Sequence, residues 1–156
     1  NIEQMTQKTR ELCRLAAAHR GEYSNNAVEQ EHLLAALARQ QDGLIPQLRQ
    51  TLGIDANAFA QAALQKVEAL PRVTGSGRDP EKIYISNDLD RALNAADEQA
   101  KQMKDEYISV EHVFSHFAEA GKAASEIFKT FGITTEKFMK QLSTVRGNQR
   151  VTSDNP

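Results

Sequence analysis

Apolar residues recur along this chain at intervals of three, four and seven, the period of an amphipathic helix and not the alternation of a strand. Met5, Leu12, Leu15, Ala16 and His19 share one such face and predict a first helix. Leu33, Leu34 and Leu37 predict a second over about 29–39, and a short third runs over about 46–52 to a stop at Gly53. Gly53 stands just past that end, where a positive φ is cheap for glycine. Asp55 then caps a fourth helix carrying Phe59, Ala63, Leu64, Val67 and Leu70. After a break at 71–86, four more helices are predicted at about 87–104, 110–120, 122–131 and 135–145.

The pattern is written twice. Val28-Glu29-Gln30-Glu31-His32-Leu33-Leu34 returns as Ile108-Ser109-Val110-Glu111-His112-Val113-Phe114, 80 positions on. Thr51-Leu52-Gly53-Ile54 with Phe59 returns as Thr130-Phe131-Gly132-Ile133 with Phe138, 79 positions on. Order and register both persist, so the chain is one helical unit repeated. Ile54–Phe59, Ile133–Phe138, Val28–Leu33 and Ile108–Val113 all have the spacing of a hydrophobic staple, which fixes the angle at which a chain enters its helix. A unit of three or four short helices cannot bury its apolar faces alone, whereas two units can cover each other. The expected fold is therefore all-α, with two pseudo-two-fold-related repeats of about four helices each in one compact domain. Repeat one spans about 1–70, a linker 71–86 and repeat two about 87–146; the polar stretch 147–156 reads as the start of a linker to a further module.

Composition narrows the function more than the fold. With 40% hydrophobic and 26% charged residues among 156, the chain belongs with soluble globular proteins. A net charge of −2, with basic and acidic residues interleaved, argues against a nucleic-acid binder. No apolar run approaches the roughly 20 residues of a membrane span, and no secretory signal opens the sequence, so a cytoplasmic setting is the expectation. A single cysteine, Cys13, cannot form an internal disulfide.

The candidate chemistry is sparse. His32 and His112 each follow a glutamate and invite a metal or acid–base reading, but each falls at the third position of a helix, where a side chain can bond back to the cap residue. Glu31 and Glu111 sit in the first turn, where negative charge complements the helix dipole. There is no His-Glu-x-x-His pair, and His19 and His116 add no ligand spacing, so capping is the favoured reading and no metal site is expected. Gly75-Ser76-Gly77 lacks the strand before it and the Gly-Lys-Ser/Thr after it that a phosphate loop needs. Cys13, among Leu12 and Leu15, reads as a packed residue. No catalytic set is recognisable. Lys82-Ile83-Tyr84-Ile85-Ser86 has no partner in the first repeat and admits two readings. Either Ile83 and Ile85 pin the linker to the core, or they form a partly exposed lip where Leu89 and Leu93 complete a peptide-binding groove.

The paired Glu-His motifs, the Leu-Gly-Ile and Phe-Gly-Ile turns and Leu70-Pro71-Arg72-Val73-x-Gly75-x-Gly77 resemble the Clp N-terminal domain, most closely that of ClpB-type disaggregase chaperones. The resemblance covers essentially the whole chain, and 145–151 looks like the family's junction with its first ATPase module. It implies a mobile, non-catalytic domain that engages unfolded or aggregated polypeptides and helps pass them to the pore of a homohexameric AAA+ ATPase working with a DnaK-type chaperone. ATP and magnesium belong to ATPase modules outside this sequence; no cofactor, nucleic-acid or membrane partner is implied for this segment. The family's substrate-binding positions map onto Thr6, Asp105 and Glu111, and its apolar groove onto Leu93, Ala95 and His112. At Ala95 and His112 this chain departs from the aliphatic pattern. On this reading Asp105 and Glu111 form an acidic rim where charge reversal weakens binding without loss of thermal stability. The alternative is an adaptor-docking domain of a protease-linked Clp unfoldase, which shares the same repeats.

Overall fold

The computed structural model describes residues 5–39, 52–73, 84–119 and 122–146. Among them seven helices follow one another, with two isolated bridges and no strand. They are α1 (Gln7–Glu22), α2 (Gln30–Arg39), α3 (Ala56–Glu68), α4 (Asn87–Gln102), α5 (Val110–Glu119), α6 (Lys122–Thr130) and α7 (Thr135–Arg146). The fold is all-α, as the periodicity requires. The helix expected over 46–52, the Gly75-Ser76-Gly77 stretch, Ile83 and the tail 147–156 lie outside the described residues.

Local chemistry sets the ends of these helices. Thr6 Oγ1, Asp55 Oδ1, Ser86 Oγ and Thr134 Oγ1 each accept from backbone N–H groups of the first turn that the helix leaves unpaired. Gly132 takes φ of 71° past α6, and the Ile133 N–H donates back to Phe128 O at 2.8 Å. Gly53 takes the same φ. At the ends of α1 and α4 the same left-handed turn falls on Ser24 (φ 54°) and Lys104 (φ 60°), which have no such freedom. The turns nevertheless close, with Asn25 N–H bonded to Arg20 O and Asp105 N–H to Ala100 O.

Two details of the first helix differ from its apolar periodicity. Met5 is not helical: it precedes the Thr6 cap and forms a parallel bridge with Ile108. Leu15 faces outward at 37% exposure, so the buried stripe of α1 is Thr9, Leu12, Ala16 and His19, with Arg20 beside it. Helix α2 is buried on nearly every side, from Gln30 and His32 through Ala38, and packs against α1, α3, α4 and α6. Around it runs a single apolar core in which Phe59, Phe128 and Phe138 are fully enclosed. The Phe59 ring lies 5.8 Å from Phe128 and 5.4 Å from Phe131, joining α3 of the first repeat to the end of α6 in the second. Gln30 Oε1 accepts from Ala124 N–H, so a side chain of α2 also serves the first turn of α6.

The bridges join the repeats reciprocally. Met5 of the first pairs with Ile108 of the second, and Ile85, at the end of the linker that leads into the second, pairs with Val28 of the first. Met5 and Ile85 stand 80 positions apart, as do Val28 and Ile108 and the caps Thr6 and Ser86. This corrects, for its described residues 84–86, the expectation that the Lys82–Ser86 run has no partner in the first repeat. Its counterpart is the segment leading to Thr6. The two differ in cover: Met5 is 4% exposed and Ile85 54%.

Candidate functional site

Each Glu-His motif builds a closed corner. His32 Nδ1 accepts from the Glu29 backbone N–H at 2.9 Å, and His112 Nδ1 from the Ser109 N–H at 2.8 Å. A backbone N–H can only donate, so Nδ1 is unprotonated and Nε2 carries the hydrogen. His32 Nε2 then donates to Asn25 Oδ1 and His112 Nε2 to Asp105 Oδ2, both at 2.7 Å. Each imidazole thus ties the turn before its helix to the helix start, seven residues later. Burial, followed by the charges of His19 and Arg20, pushes the His32 imidazole down to about 4. These histidines have no coordination left for a metal, and no group of metal-ligating side chains occurs among the described residues.

The structure divides the expected site residues into two groups. Thr6, Asp105, Glu111 and His112 gather at the Met5–Ile108 bridge, where Thr6 N–H donates to Ile108 O at 3.0 Å. Ile85 stands just before α4 and Leu89 in its first turn, with Leu93 and Ala95 about midway along its 16 residues. At 1.5 Å per residue that helix separates Ile85 from Asp105 by about 24 Å. One continuous rim from Ile85 to Asp105 is therefore not what the fold provides.

Access differs within each group. Thr6, Asp105, His112 and Leu89 are buried, with Thr6 Oγ1 bonded to Thr9 and the Asp105 carboxylate enclosed against His112. The expectation that Asp105 can reverse its charge without loss of stability is corrected by that enclosure. Glu111 is 6% exposed, yet its carboxylate makes no hydrogen bond or ion pair among the described residues. Its place in the first turn of α5 stabilises the charge through the helix dipole. Leu93 and Ala95 are half-buried. Tyr84 and Ile85 are the large exposed side chains here, at 53% and 54%, while their backbone is fixed by the bridge to Val28. The bridge thus pins the backbone at Ile85 while its side chain stands exposed, and Leu89, expected to complete a groove there, is buried in the core. Tyr84 was the residue that sequence reasoning left out of the site, and aligning 84–86 with the residues before Thr6 would have singled it out.

Elsewhere the chemistry is quiet. Burial pushes the Cys13 thiol up, which favours the unreactive protonated form. No described helix is long and apolar enough to cross a membrane.

With this geometry in hand, comparison with known proteins is informative. The profile of the Clp repeat (R) N-terminal domain matches residues 4–131. The chaperone protein ClpB of Bacillus cereus is 38% identical over 156 residues, the whole of this chain. That of Nitratidesulfovibrio vulgaris is 37% identical over 158 aligned positions, again covering the whole chain. In each case the chain spans only 18% of the relative's length. Among solved structures, the Hsp104 N-terminal domain from Candida albicans superposes with a TM-score of 0.80 at 21% identity, covering 97% of both chains. The N-terminal domain of the ClpV1 ATPase of an Escherichia coli type VI secretion system gives 0.74 at 16%, covering 99% of this chain and 91% of that one. At such identities the structures speak for the fold alone.

Proposed function

Since the chain belongs to the Clp N-terminal domain family, we propose that it serves as the non-catalytic substrate-recognition domain of a ClpB-type protein disaggregase. In this role it binds unfolded or aggregated polypeptides and helps deliver them to the pore of a homohexameric ATPase working with a DnaK-type chaperone in the cytoplasm. The ATPase modules, with their ATP and magnesium, lie beyond residues 147–156, which act as the linker.

The observation that carries this reading is the exposed Tyr84–Ile85 lip on a pinned backbone, where the equivalent Met5 is buried. A rigid apolar lip attracts apolar segments that a folded protein hides, without reading their sequence. Leu93 and Ala95, half-buried on either flank of the Ala92–Ala96 stripe of α4, are the further candidate positions. At the other bridge Glu111, in the first turn of α5, offers a carboxylate that has no ion pair among the described residues, near the buried Thr6, Asp105 and His112. Leu89 acts from within, anchoring α4 to the core. The adaptor-docking alternative uses the same fold, but the relatives matched across this whole chain at 37–38% identity are ClpB chaperones, which favours disaggregation.

The test is an NMR titration of the ¹⁵N-labelled chain with a permanently unfolded, carboxymethylated polypeptide. Saturable shifts at Tyr84, Ile85, Leu93 and Glu111 are expected, and Ile85→Ser should weaken binding several-fold. Absence of saturable shifts at all of these positions would remove the assignment.

A further inference from the structure

At the Val28–Ile85 bridge we propose a docking seat for an extended polypeptide of one chemistry: a short β-branched or aromatic stretch followed by an arginine or lysine. The stretch adds as a strand along Ile85, and the cation enters the cleft beside Glu29 and Glu31. This deepens the polypeptide-binding role proposed above, and rests on it, by naming the class of segment and the means of holding it.

The first observation is a backbone edge left unpaired by the described residues. Val28 N–H donates to Tyr84 O at 2.7 Å and Ser86 N–H donates to Val28 O at 3.0 Å. In a parallel bridge these bonds use the residues on either side of Ile85, so the N–H and C=O of Ile85 itself point away from Val28. Neither makes a hydrogen bond among the described residues. An exposed edge whose donor and acceptor make no hydrogen bond among the described residues is a template for a further strand. Tyr84 and Ile85 supply apolar surface on that edge, as β-branched or aromatic neighbours on an added strand require.

The second observation is charge. A cleft of about 290 Å³ opens where the bridge ends, lined by Glu29, Glu31, Asp88, Glu126, Lys66 and Leu70 among others. Glu29 directly follows Val28, and Asp88 lies in the first turn of α4 after its Ser86 cap. Glu126 pairs with the Lys66 ammonium and Asp88 with the Arg91 guanidinium, so Glu29 and Glu31 are the cleft carboxylates that make no ion pair among the described residues. Burial pushes the Glu31 carboxyl up, and Glu29 and Asp88 push it in the same direction against its own backbone hydrogen bond and Lys66. A cation entering here relieves that repulsion. The other bridge lacks the combination: Met5 is buried, and Ser109 and Val110 stand at the positions of Glu29 and Gln30. Main-chain pairing tolerates many sequences, while the acidic cleft selects a flanking basic residue.

The test uses the whole chain and three synthetic peptides. The first is Ac-Thr-Val-Thr-Ile-Arg-Lys-amide, the second is the same peptide N-methylated at alternate residues, and the third carries glutamate in place of Arg and Lys. The first should bind with shifts at Tyr84, Ile85 and Glu31, and the other two at least ten-fold more weakly. The double substitution Glu29→Gln with Glu31→Gln should weaken the first peptide at least ten-fold without changing the melting temperature. Equal binding of the N-methylated peptide would overturn strand addition, and equal binding of the acidic one would overturn the cation seat. Shifts confined to Thr6 and Glu111 would overturn the inference while leaving the polypeptide-binding role standing, provided the carboxymethylated polypeptide still binds. Failure of that polypeptide as well would remove both.

Discussion

His32 and His112 occupy equivalent corners with different acceptors, Asn25 and Asp105, and that one difference separates their responses to substitution. Beside Asn25 the imidazole must stay neutral. With a folded pKa of about 4 against an ordinary 6.5, the unfolded chain takes up the proton first as the pH falls. The stability that neutral His32 provides is therefore complete above pH 6.5 and is lost as the pH falls from there to about 4, to a total of about 3 kcal/mol. Urea unfolding at pH 7 and pH 4.5 should show a drop about 2 kcal/mol smaller in His32→Gln, in which Gln retains an acceptor for the Glu29 N–H. An equal drop would assign the acid sensitivity elsewhere. Beside Asp105 the acceptor matters more than its charge. Asp105→Asn, which copies the first repeat, should cost about 1 kcal/mol or less, whereas Asp105→Lys buries a second donor against Nε2 and should cost about 3 kcal/mol or more in the same assay. The bond from Nδ1 to the helix start was legible in the sequence, because a staple placed each histidine at the third helical position. The bond from Nε2 was not, because its acceptor lies seven residues back across a left-handed turn that contains no glycine.

That turn is where element-scale reading met its limit. Gly53 and Gly132 announce helix ends, while Ser24 and Lys104 make the same turn without announcing it. A non-glycine residue held there carries strain of about 1 kcal/mol or more, kept in place by the bonds from Asn25 and Asp105 that close the turns. Lys104→Gly should accordingly raise stability by about 0.5–1 kcal/mol, seen as a higher urea midpoint with unchanged slope. A lower midpoint would mean that the lysine side chain contributes more than its backbone costs. At the opposite kind of end, Asp55→Ala should lower stability by about 1 kcal/mol by freeing the N–H groups of Asn57 and Ala58. Helix periodicity also absorbed Met5 into α1, because a single bridging residue before a cap leaves no period of its own. The same blindness hid the site. Ile85 reads as one more aliphatic residue until it is paired with Val28 and compared with buried Met5.

At the scale of the whole molecule, each repeat holds the segment that completes the other. Separating them would leave Met5 without Ile108, Val28 without the Tyr84 and Ser86 backbone, and Phe59 without Phe128 and Phe131. Central helix α2, buried on nearly all sides, would lose its packing against α4 and α6. Phe59 alone indicates the scale of the loss: Phe59→Ala in the intact chain should cost about 3–5 kcal/mol, a large part of the roughly 5–15 kcal/mol of a typical domain. A unit that forfeits all of these contacts together has too little core to offset its chain entropy. Residues 1–73 expressed alone should therefore show no cooperative urea transition as a monomer, and adding residues 74–156 should restore one with a midpoint that rises with concentration. A sigmoidal, concentration-independent transition of residues 1–73 by themselves would mean that the repeat is self-sufficient and that the exchanged bridges only orient it. The distinction bears on function, because only interdependent repeats hold the Ile85 edge rigid against Val28 while it awaits a partner.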